Sequence, residues 1–550
     1  MAAPREARSR RALLAVLLLG ALLRIYPLHR PYQHPEQDVV PRSAILEVVR
    51  GDWEPAFLFH GSAFVYVLRV LYTGWYAVGK AFGAYADRLD LLTAFVRDPF
   101  PFFVVGRLVV FVCSVLTLYL VGRLAWDASG GAAGVAATGL LAVTFIHVRE
   151  SHHVWYDVPA AAAVVAAVGF AVRGVRRGSA TPLALAGALG GAAIACKHSV
   201  FPVALPVALA AAMAAAATIR VVVARGLVAT AAALGVYVIL SPYSLLQYRL
   251  FIDSARFTTA AIMENSGTEA LPFATLWWAG IGWGVTGLAV VGLIGAIARE
   301  PRAGIVLGAF PVATVTLLAI GGRLHARYLA PVAPLAALLA GVGATTLGGL
   351  LWPRRHALAA AVLTVLVGFA PAAQSLAYVR VLGRRDTRQL AADWIQAHVP
   401  RGTPLTVPSL NRYPNPLLPW DATLVRITYR EWADVLLGRG VADPRQIYPQ
   451  RYLGGVFGGF PPDWQPRDRF VVTAYHPIVV RSARIPAAYI ERLRAAGARP
   501  VAAFDGFREP LDGTVYDPID ADYVPLTGFG RLERPGPNIT IWELPSAVAR

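Results

Sequence analysis

The chain has 550 residues, of which 56% are hydrophobic and only 15% charged, and its mean hydropathy is +0.52. This composition excludes an ordinary soluble protein, because the apolar residues are also gathered into long runs. The formal charge of +18 does not indicate a nucleic-acid partner, since the arginines cluster at the ends of those runs without an accompanying aromatic stripe. Cys113 and Cys196 lie inside apolar runs, so neither a disulfide framework nor a thiolate metal site is expected.

About eleven apolar runs, each close to the length that crosses a bilayer, follow one another along the chain. We place them at roughly 11–28, 101–123, 131–148, 155–173, 181–196, 200–219, 226–242, 276–298, 303–321, 328–350 and 357–377. The first run follows a basic segment without a convincing cleavage site, which predicts an uncleaved span with a cytoplasmic N-terminus. A further run, 61–83, either lies along the outer face or crosses, in which case a hidden span near 84–100 would restore the parity. The predicted fold is mainly α, a polytopic membrane protein with about 11–13 transmembrane helices.

Basic residues mark one set of loops between the runs. If 61–83 lies along the outer face, four basic clusters fall in cytoplasmic loops, as the positive-inside rule requires. The clusters are Arg173/Arg176/Arg177, Arg220/Arg225, Arg299/Arg302 and Arg354/Arg355. This arrangement predicts that the C-terminal part of the chain is external.

The long apolar runs stop at about residue 383, where the composition becomes that of a soluble α/β domain. We therefore predict a transmembrane domain over 1–382, with a first external loop at 29–100, and an external α/β domain over 383–550. Helices are expected over 386–398 and 486–496, and strands over 404–407, 422–428, 469–474, 501–504 and 539–544. The Pro- and Gly-rich stretch 440–468 is expected to be a surface loop.

Two carboxylates follow the first apolar run closely. Glu36 and Asp38 lie with His34 in a short polar segment just outside a span, where a charge is costly unless it has a function or a partner. They are the leading candidates for catalysis. The alternative is that they only solvate a loop or cap a helix.

Another acid, Asp157, begins an Ala- and Val-rich run shortly after His152 and His153. On a helix, His153 and Asp157 share a face, which suits a hydrogen-bonded pair or two metal ligands. The alternative is a helix N-terminal acid favoured by the helix dipole. A divalent metal would need a further ligand such as Glu36, and spacing alone does not establish one.

Several donors converge with these acids on the same predicted side of the membrane. Lys197 and Arg327 each lie at the end of a small-residue run, where snorkelling to the interface is the ordinary explanation. Gathered in one place, such donors would instead bind an anionic phosphate at the membrane surface. The predicted phosphate-binding residues are Lys197, Arg327, Arg323, His325, Tyr328 and, more weakly, Arg107. The predicted supporting residues are His34, His152, His153 and Tyr243.

Short motifs along nearly the whole chain carry a resemblance to a known family. They are His34-Pro35-Glu36-Gln37, Gly51-Asp52-Trp53-Glu54-Pro55, Gly106-Arg107, Ser151-His152, Asp157, Lys197, Ser241-Pro242-Tyr243, Arg327-Tyr328-Leu329, Asp386-Thr387-Arg388, Trp394-Ile395 and Gly536-Pro537-Asn538-Ile539-Thr540-Ile541. In their order and placement they resemble the C-type superfamily of membrane glycosyltransferases. The resemblance is to the bacterial branch similar to dolichyl-phosphate-mannose-protein mannosyltransferases and the aminoarabinose transferase of lipid A.

The resemblance implies an inverting glycosyltransferase in the bacterial cytoplasmic (inner) membrane that takes a sugar from a polyprenyl phosphate on the external face. An acid of the first external loop would be the base for the acceptor hydroxyl. The family usually has His-Pro-Asp-Glu at this place, whereas this chain has Glu36 and Gln37 followed by Asp38. Both Glu36 and Asp38 are therefore candidates for the base, and the missing second acid leaves open a catalytically inactive homologue.

A transporter or flippase of lipid-linked sugars is the alternative from another class. It would place polar groups near the centres of broken spans and show internal repeats. The spans here are mostly Ala, Val, Leu and Gly, and their polar residues lie at the ends. The acceptor remains open among a protein hydroxyl, a glycolipid and a polysaccharide, because nothing in the loops selects one.

Overall fold

The computed structural model describes residues 2–26, 28, 39–55, 60–214, 218–265, 271–321, 325–407, 450–452, 463–476, 487–517 and 523–545. Two compact units are present. The first comprises 1–28, 50–72 and 105–376, and the second comprises 29–49, 73–104 and 377–550. The boundary at 382/383 that the sequence predicts for the external domain stays a prediction.

Helices dominate the part of the chain that precedes the C-terminal domain. Their bounds are α1 Ala2–Ile25, α2 Val39–Arg50, α3 Ala63–Ala81, α4 Arg88–Arg97, α5 Phe100–Ser129, α6 Gly131–Val143, α7 Phe145–Glu150, α8 Asp157–Arg177, α9 Ala180–Cys196, α10 Ala204–Met213, α11 Ile219–Leu240, α12 Tyr243–Leu246, α13 Tyr248–Asn265, α14 Phe273–Gly280, α15 Trp283–Arg299, α16 Pro301–Gly321, α17 Ala333–Leu351 and α18 His356–Leu382. Within the described ranges, each of the predicted apolar runs overlaps one or two of these helices.

Six helical segments of the described chain are long and apolar enough to cross a membrane, or seven if the bent pair α14 and α15 forms one span. The remaining predicted spans fold as shorter apolar helices, such as α6, α9 and α10, or carry arginines, as α1 does. Run 61–83 forms α3, which fails the same test of apolarity, and the hidden span near 84–100 is the ten-residue helix α4. A polytopic helical membrane protein is thus confirmed.

Small residues allow the helices of the first unit to approach closely. Gly292 of α15 and Gly343 of α17 face each other's helix so closely that added Cβ atoms would lie 1.8 Å from the carbonyl oxygen of Leu339 and 1.9 Å from that of Leu288. Any side chain at either glycine would push the two helices apart. Such crossings let apolar helices pack by van der Waals contact where no hydrophobic force acts between them.

The second unit contains a five-stranded mixed sheet with strand order β2-β1-β3-β5-β4. Its elements are α19 Thr387–His398, β1 Leu405–Val407, β2 Gln450–Tyr452, β3 Phe470–Tyr475, α20 Ala487–Ala495, β4 Arg499–Phe504 and β5 Asn538–Glu543. Strand β1 pairs in parallel with β2 and β3, whereas β5 pairs antiparallel with β3 and β4. Helices therefore precede and interrupt a sheet, as expected of an α/β domain.

Alternating side chains of β3 bind the sheet to a helix on each face. Phe470 and Val472 pack in one core with Ile395 of α19, while Val471 packs in another with Leu493 of α20. Successive strand residues point to opposite faces, so one strand serves both cores. Asp386 is the N-cap of helix α19, and its carboxylate accepts a hydrogen bond from the backbone N–H of Arg388 at 2.8 Å.

The sequence located most of this domain correctly. Both predicted helices and four of the five predicted strands are present, and the fifth, over 422–428, lies outside the described residues. The stretch 440–468 is not entirely a loop, because it contains β2. Three residues carry too little alternation to show as a strand, and only pairing with the distant β1 stabilises them.

Candidate functional site

A break between two helices precedes the residues of the site along the chain. The apolar run that predicts one span is divided at Thr144 into α6 and α7, which leaves carbonyl groups at the end of α6 without helical partners. Arg24, which is only 1% exposed, donates to two of them, at 2.9 Å to Ala142 and 3.1 Å to Leu141. Its guanidinium also lies 2.9 Å from Nδ1 of His147. A residue of α1 therefore holds the break and the start of the next segment.

Asp157 and Lys197 form a buried ion pair at one end of the helices. Asp157 is the first residue of α8 and Lys197 directly follows α9, so the short connection between these helices places both residues at the end away from it. The ammonium of Lys197 donates to Oδ1 of Asp157, and the two residues are 2% and 0% exposed. The other oxygen, Oδ2, is buried without a hydrogen-bond partner among the described residues.

Two aromatic rings extend this pair. The Lys197 ammonium lies 4.7 Å from the ring centroid of Tyr328, and the Arg327 guanidinium lies 4.7 Å from that of Trp155. Cations over ring faces are stabilised by the electrostatic field of the ring, so Trp155 helps to hold the Arg327 guanidinium in place. The indole N–H of Trp155 is buried and has no acceptor among the described residues.

Glu150 adds a second carboxylate close to the pair. It is 2% exposed, accepts from Arg149 at 2.7 Å and lies 3.7 Å from Nδ1 of His153. It also interacts electrostatically with Asp157 and Lys197. The cluster formed by Glu150, Trp155, Asp157, Lys197, Arg327 and Tyr328 is called the acid–cation cluster below. It contains acids and cations that balance one another in a buried place.

The remaining predicted residues are distributed around this cluster. His325 lies beside Tyr328, with ring centroids 5.3 Å apart. Arg107 donates to the carbonyl oxygen of Leu28 at 3.2 Å, and the ring of His152 bonds the carbonyls of Val148 and Leu23. Tyr243 begins α12 and makes no hydrogen bond or ring contact with the cluster among the described residues.

Some predicted residues cannot be placed. His34, Glu36, Asp38 and Arg323 lie outside the described residues, so their predicted roles stay predictions. Within the described ranges, no group of three or more His, Cys, Asp or Glu side chains could hold a metal ion. The predicted metal ligand Asp157 has one oxygen bound by Lys197.

Sequence reasoning missed Arg24, His147, Arg149, Glu150 and Trp155. For the last four of these residues the sequence signal was the segment from His147 to Asp157, in which six charged or imidazole-bearing residues interrupt an apolar sequence. Charged residues inside a membrane protein mark functional sites by default. Arg24 gave a weaker signal, because an arginine at the end of a span is expected to reach the interface.

No protein-family model and no curated protein matches this sequence. Solved structures to which the chain is similar include ArnT from Cupriavidus metallidurans bound to undecaprenyl phosphate, at 15% identity and a TM-score of 0.47, covering 98% of each chain. The oligosaccharyltransferase of Archaeoglobus fulgidus tethered to an acceptor peptide matches at 13% identity and a TM-score of 0.49, covering 85% of this chain and 69% of that one. AglB from the same organism, in complex with an inhibitory peptide and a dolichol-phosphate, matches at 13% identity and a TM-score of 0.44, covering 73% and 62%.

The identities of these matches are 13–15%, and their TM-scores are all below 0.5. At such identities no residue role passes from either protein to this chain.

Proposed function

We propose that this protein is an inverting glycosyltransferase that moves a sugar from a polyprenyl phosphate to an acceptor hydroxyl. The observation that carries the proposal is the acid–cation cluster, in which two cations and a carboxylate with one unpartnered oxygen are buried at the ends of apolar helices. Buried polar atoms in native structures are nearly always satisfied, so unpartnered ones point to a ligand. The sequence motifs supply the reaction class.

Lys197 and Arg327 are suited to the leaving group. When the glycosidic bond breaks, the lipid phosphate gains negative charge, and fixed cations stabilise that charge more in the transition state than in the ground state. Asp157 uses one of the three ammonium donors of Lys197, which leaves two for phosphate oxygens. The Arg327 guanidinium is positioned by the ring of Trp155, whose centroid lies 4.7 Å away.

The proton of the acceptor hydroxyl needs a base on the opposite face of the sugar. Glu36 is our first choice because it directly follows His34-Pro35, at the place where the family has an acid. Asp38 is the second. In this assignment Asp157 orients Lys197 and offers its second oxygen to the acceptor or to a cation. The proton is accepted by an acid of the first loop and not by Asp157.

The charges at the two ends of helix α8 support an external location for the transfer. Its basic C-terminal end carries Arg176 and Arg177, and its N-terminal end carries Asp157, about 30 Å away at 1.5 Å per residue. If the basic end is cytoplasmic, the acid–cation cluster is external. The acceptor is then an external hydroxyl of a protein, glycolipid or polysaccharide, and the donor sugar is delivered on that side.

Replacing each acid of the first loop tests the reaction. Glu36→Gln keeps the size of the side chain but removes its basicity, so we expect turnover to fall by about 10²–10⁴-fold with nearly unchanged donor binding. Asp38→Asn is the matched control and should be milder. The assay is sugar transfer from defined polyprenyl-phosphate sugars in membranes. A dead Asp38→Asn with an active Glu36→Gln would move the base to Asp38, and two fully active variants would contradict the mechanism.

Cysteine labelling tests the orientation independently. In a chain whose Cys113 and Cys196 are replaced by Ala, a cysteine at the exposed Arg401 should react with an impermeant maleimide added outside. A cysteine at the exposed Ser179, next to the basic end of α8, should react only after the cells are opened. The reverse pattern would place the acid–cation cluster in the cytoplasm and exclude an external acceptor.

A further inference from the structure

An arginine-lined cavity lies in the second unit, and none of its lining residues belongs to the acid–cation cluster. It has a volume of about 700 Å³, and its charged lining consists of Arg384, Arg385, Arg508, Arg531, Glu533 and Arg534. Five arginines and one glutamate give this lining a formal charge of +4. We call it the arginine cavity.

The backbone fixes several of these arginines in place. Arg384 donates to the carbonyl oxygen of Glu533, and the backbone N–H of Arg508 donates to the carbonyl oxygen of Arg531 at 2.9 Å. The side chain of Arg508 binds the Glu533 carboxylate at 2.5 Å. The single acid of the lining is therefore already paired with Arg508, and Arg385 binds Asp393 outside the lining.

Arg531 and Arg534 differ from the other three. Their guanidinium groups have no acid or hydrogen-bond acceptor within the described residues, although both line the same cavity as three more cations. Like charges gathered in one concave place repel one another and create a strong positive potential. An anion bound among them would relieve that repulsion.

The position of the cavity indicates which anion it meets. Arg384 lies two residues after the end of α18, a helix that contributes to a candidate membrane span. The ring of Phe529, in the turn that carries Arg531, contacts the ring of Tyr378 in the last turns of α18, with centroids 6.4 Å apart. The cavity is therefore built partly from residues that follow a candidate membrane span within a few positions along the chain.

Topology makes these arginines unusual. Cationic residues beside a span are favoured on the cytoplasmic side, and in the orientation proposed above the end of α18 faces outward. The inference rests on the proposed function in this one step. Five arginines kept on the disfavoured side imply a ligand that needs them.

We propose that the arginine cavity binds a phosphate group of an anionic molecule at the membrane surface. Guanidinium groups bind phosphate through paired, charge-assisted hydrogen bonds, and Arg531 and Arg534 supply the donors that the protein itself does not occupy. The phosphate belongs either to a lipid headgroup or to a soluble phosphate. In either case the cavity holds its ligand beside the membrane without taking part in the sugar transfer.

The test measures binding to the full-length protein in neutral detergent without a sugar donor. The probes are phosphatidylglycerol and phosphatidylcholine in mixed micelles, and sodium pyrophosphate against sodium chloride at equal ionic strength. The site variant is Arg531→Gln/Arg534→Gln. The matched control, Arg401→Gln/Arg494→Gln, removes the same charge from two exposed arginines of the same unit that do not line the cavity.

We expect the site variant to bind phosphatidylglycerol at least about tenfold more weakly, because each charge-assisted contact contributes roughly a factor of ten. The control should stay within about twofold of the unaltered protein, and Arg531→Lys/Arg534→Lys should retain part of the binding. A parallel loss of pyrophosphate binding identifies a site for phosphate from either source, whereas a loss confined to phosphatidylglycerol identifies a lipid headgroup.

Equal weakening in the site and control variants would overturn the proposal, as would equal binding of phosphatidylcholine and phosphatidylglycerol. Because no donor is present, either result would leave the proposed transfer untouched. Conversely, an inactive Glu36→Gln variant should still bind phosphatidylglycerol normally.

Discussion

Helix α8 carries an ion pair at each end, and the two pairs differ in their burial and in their number of hydrogen bonds. At the C-terminal end, Arg176 binds Glu300 through three hydrogen bonds of 2.7–3.0 Å, with side chains 32% and 46% exposed. At the N-terminal end, Lys197 binds Asp157 through a single bond, with side chains 3% and 0% exposed. The pair with the better hydrogen-bond geometry is the exposed one.

Burial therefore decides what each pair does. An exposed ion pair is worth about 0–1 kcal/mol, because water screens it and two long side chains must be ordered. A buried pair adds little net stability over apolar residues, yet removing one partner costs about 3–5 kcal/mol, because the other charge stays buried alone. A buried pair is thus retained for specificity or function, and the Asp157 end of α8 is the end that has both an unpartnered oxygen and aromatic neighbours.

The largest expected effect comes from breaking the buried pair. Lys197→Met leaves the Asp157 carboxylate without its cation, so we expect a loss of about 3–5 kcal/mol of stability together with nearly all transfer activity. Melting of the purified protein in detergent and a transfer assay measure the two losses. The double variant Asp157→Asn/Lys197→Met removes both charges and should recover much of the melting temperature while staying inactive. Equal melting of the single and double variants would show that the two residues are not coupled.

A smaller effect is expected at Arg327, whose guanidinium lies over the ring of Trp155. Arg327→Gln removes one cationic contact to the leaving phosphate and should lower kcat/KM about ten- to hundredfold, equivalent to roughly 1.5–3 kcal/mol, with little change in melting. Arg173→Gln is the matched control, since the Arg173 guanidinium also lies over an aromatic ring, 5.1 Å from the centroid of Phe170, but outside the cluster. If Arg173→Gln lowers kcat/KM as much as Arg327→Gln does, the selectivity assigned to the cluster is wrong.

The sequence predicted the ends of α8 better than the segment before it. Asp157, Lys197 and Arg327 could be selected because each charged residue lies at the end of a long apolar run, and such ends meet on one side of the membrane. The break at Thr144 could not be foreseen, because the run there is continuous and the residue that holds the break, Arg24, lies 118 positions from Ala142. Contacts between distant residues leave no local pattern, and the role of Glu150 depends on that break.

The C-terminal domain shows the same limit on a smaller scale. Strands β3 and β5 were predictable from runs of Val, Ile, Thr and aromatic side chains, and β4 was predicted only over 501–504. Strand β2 was not, since its three residues become a strand only through parallel pairing with β1, which precedes it by more than 40 positions. The local sequence pattern predicts the longer strands, whereas pairing between distant residues decides which short segments become strands of the same sheet.

The smallest effect is expected at the other end of α8, at the exposed pair of Arg176 and Glu300. Glu300→Gln removes the acid of the exposed pair but leaves a side chain that still accepts a hydrogen bond, and Arg176 remains accessible to water. We therefore expect the free energy of unfolding to change by less than about 1 kcal/mol, with unchanged sugar transfer. Arg176→Gln is the control and should give the same small change, because each variant removes the same interaction. The effect should shrink further in high salt, since salt screens exposed charges and leaves the buried Asp157–Lys197 pair almost unaffected. A loss of several kcal/mol in Glu300→Gln would show that burial does not separate the two ends, and the functional weight placed on the Asp157 end would lose its physical basis.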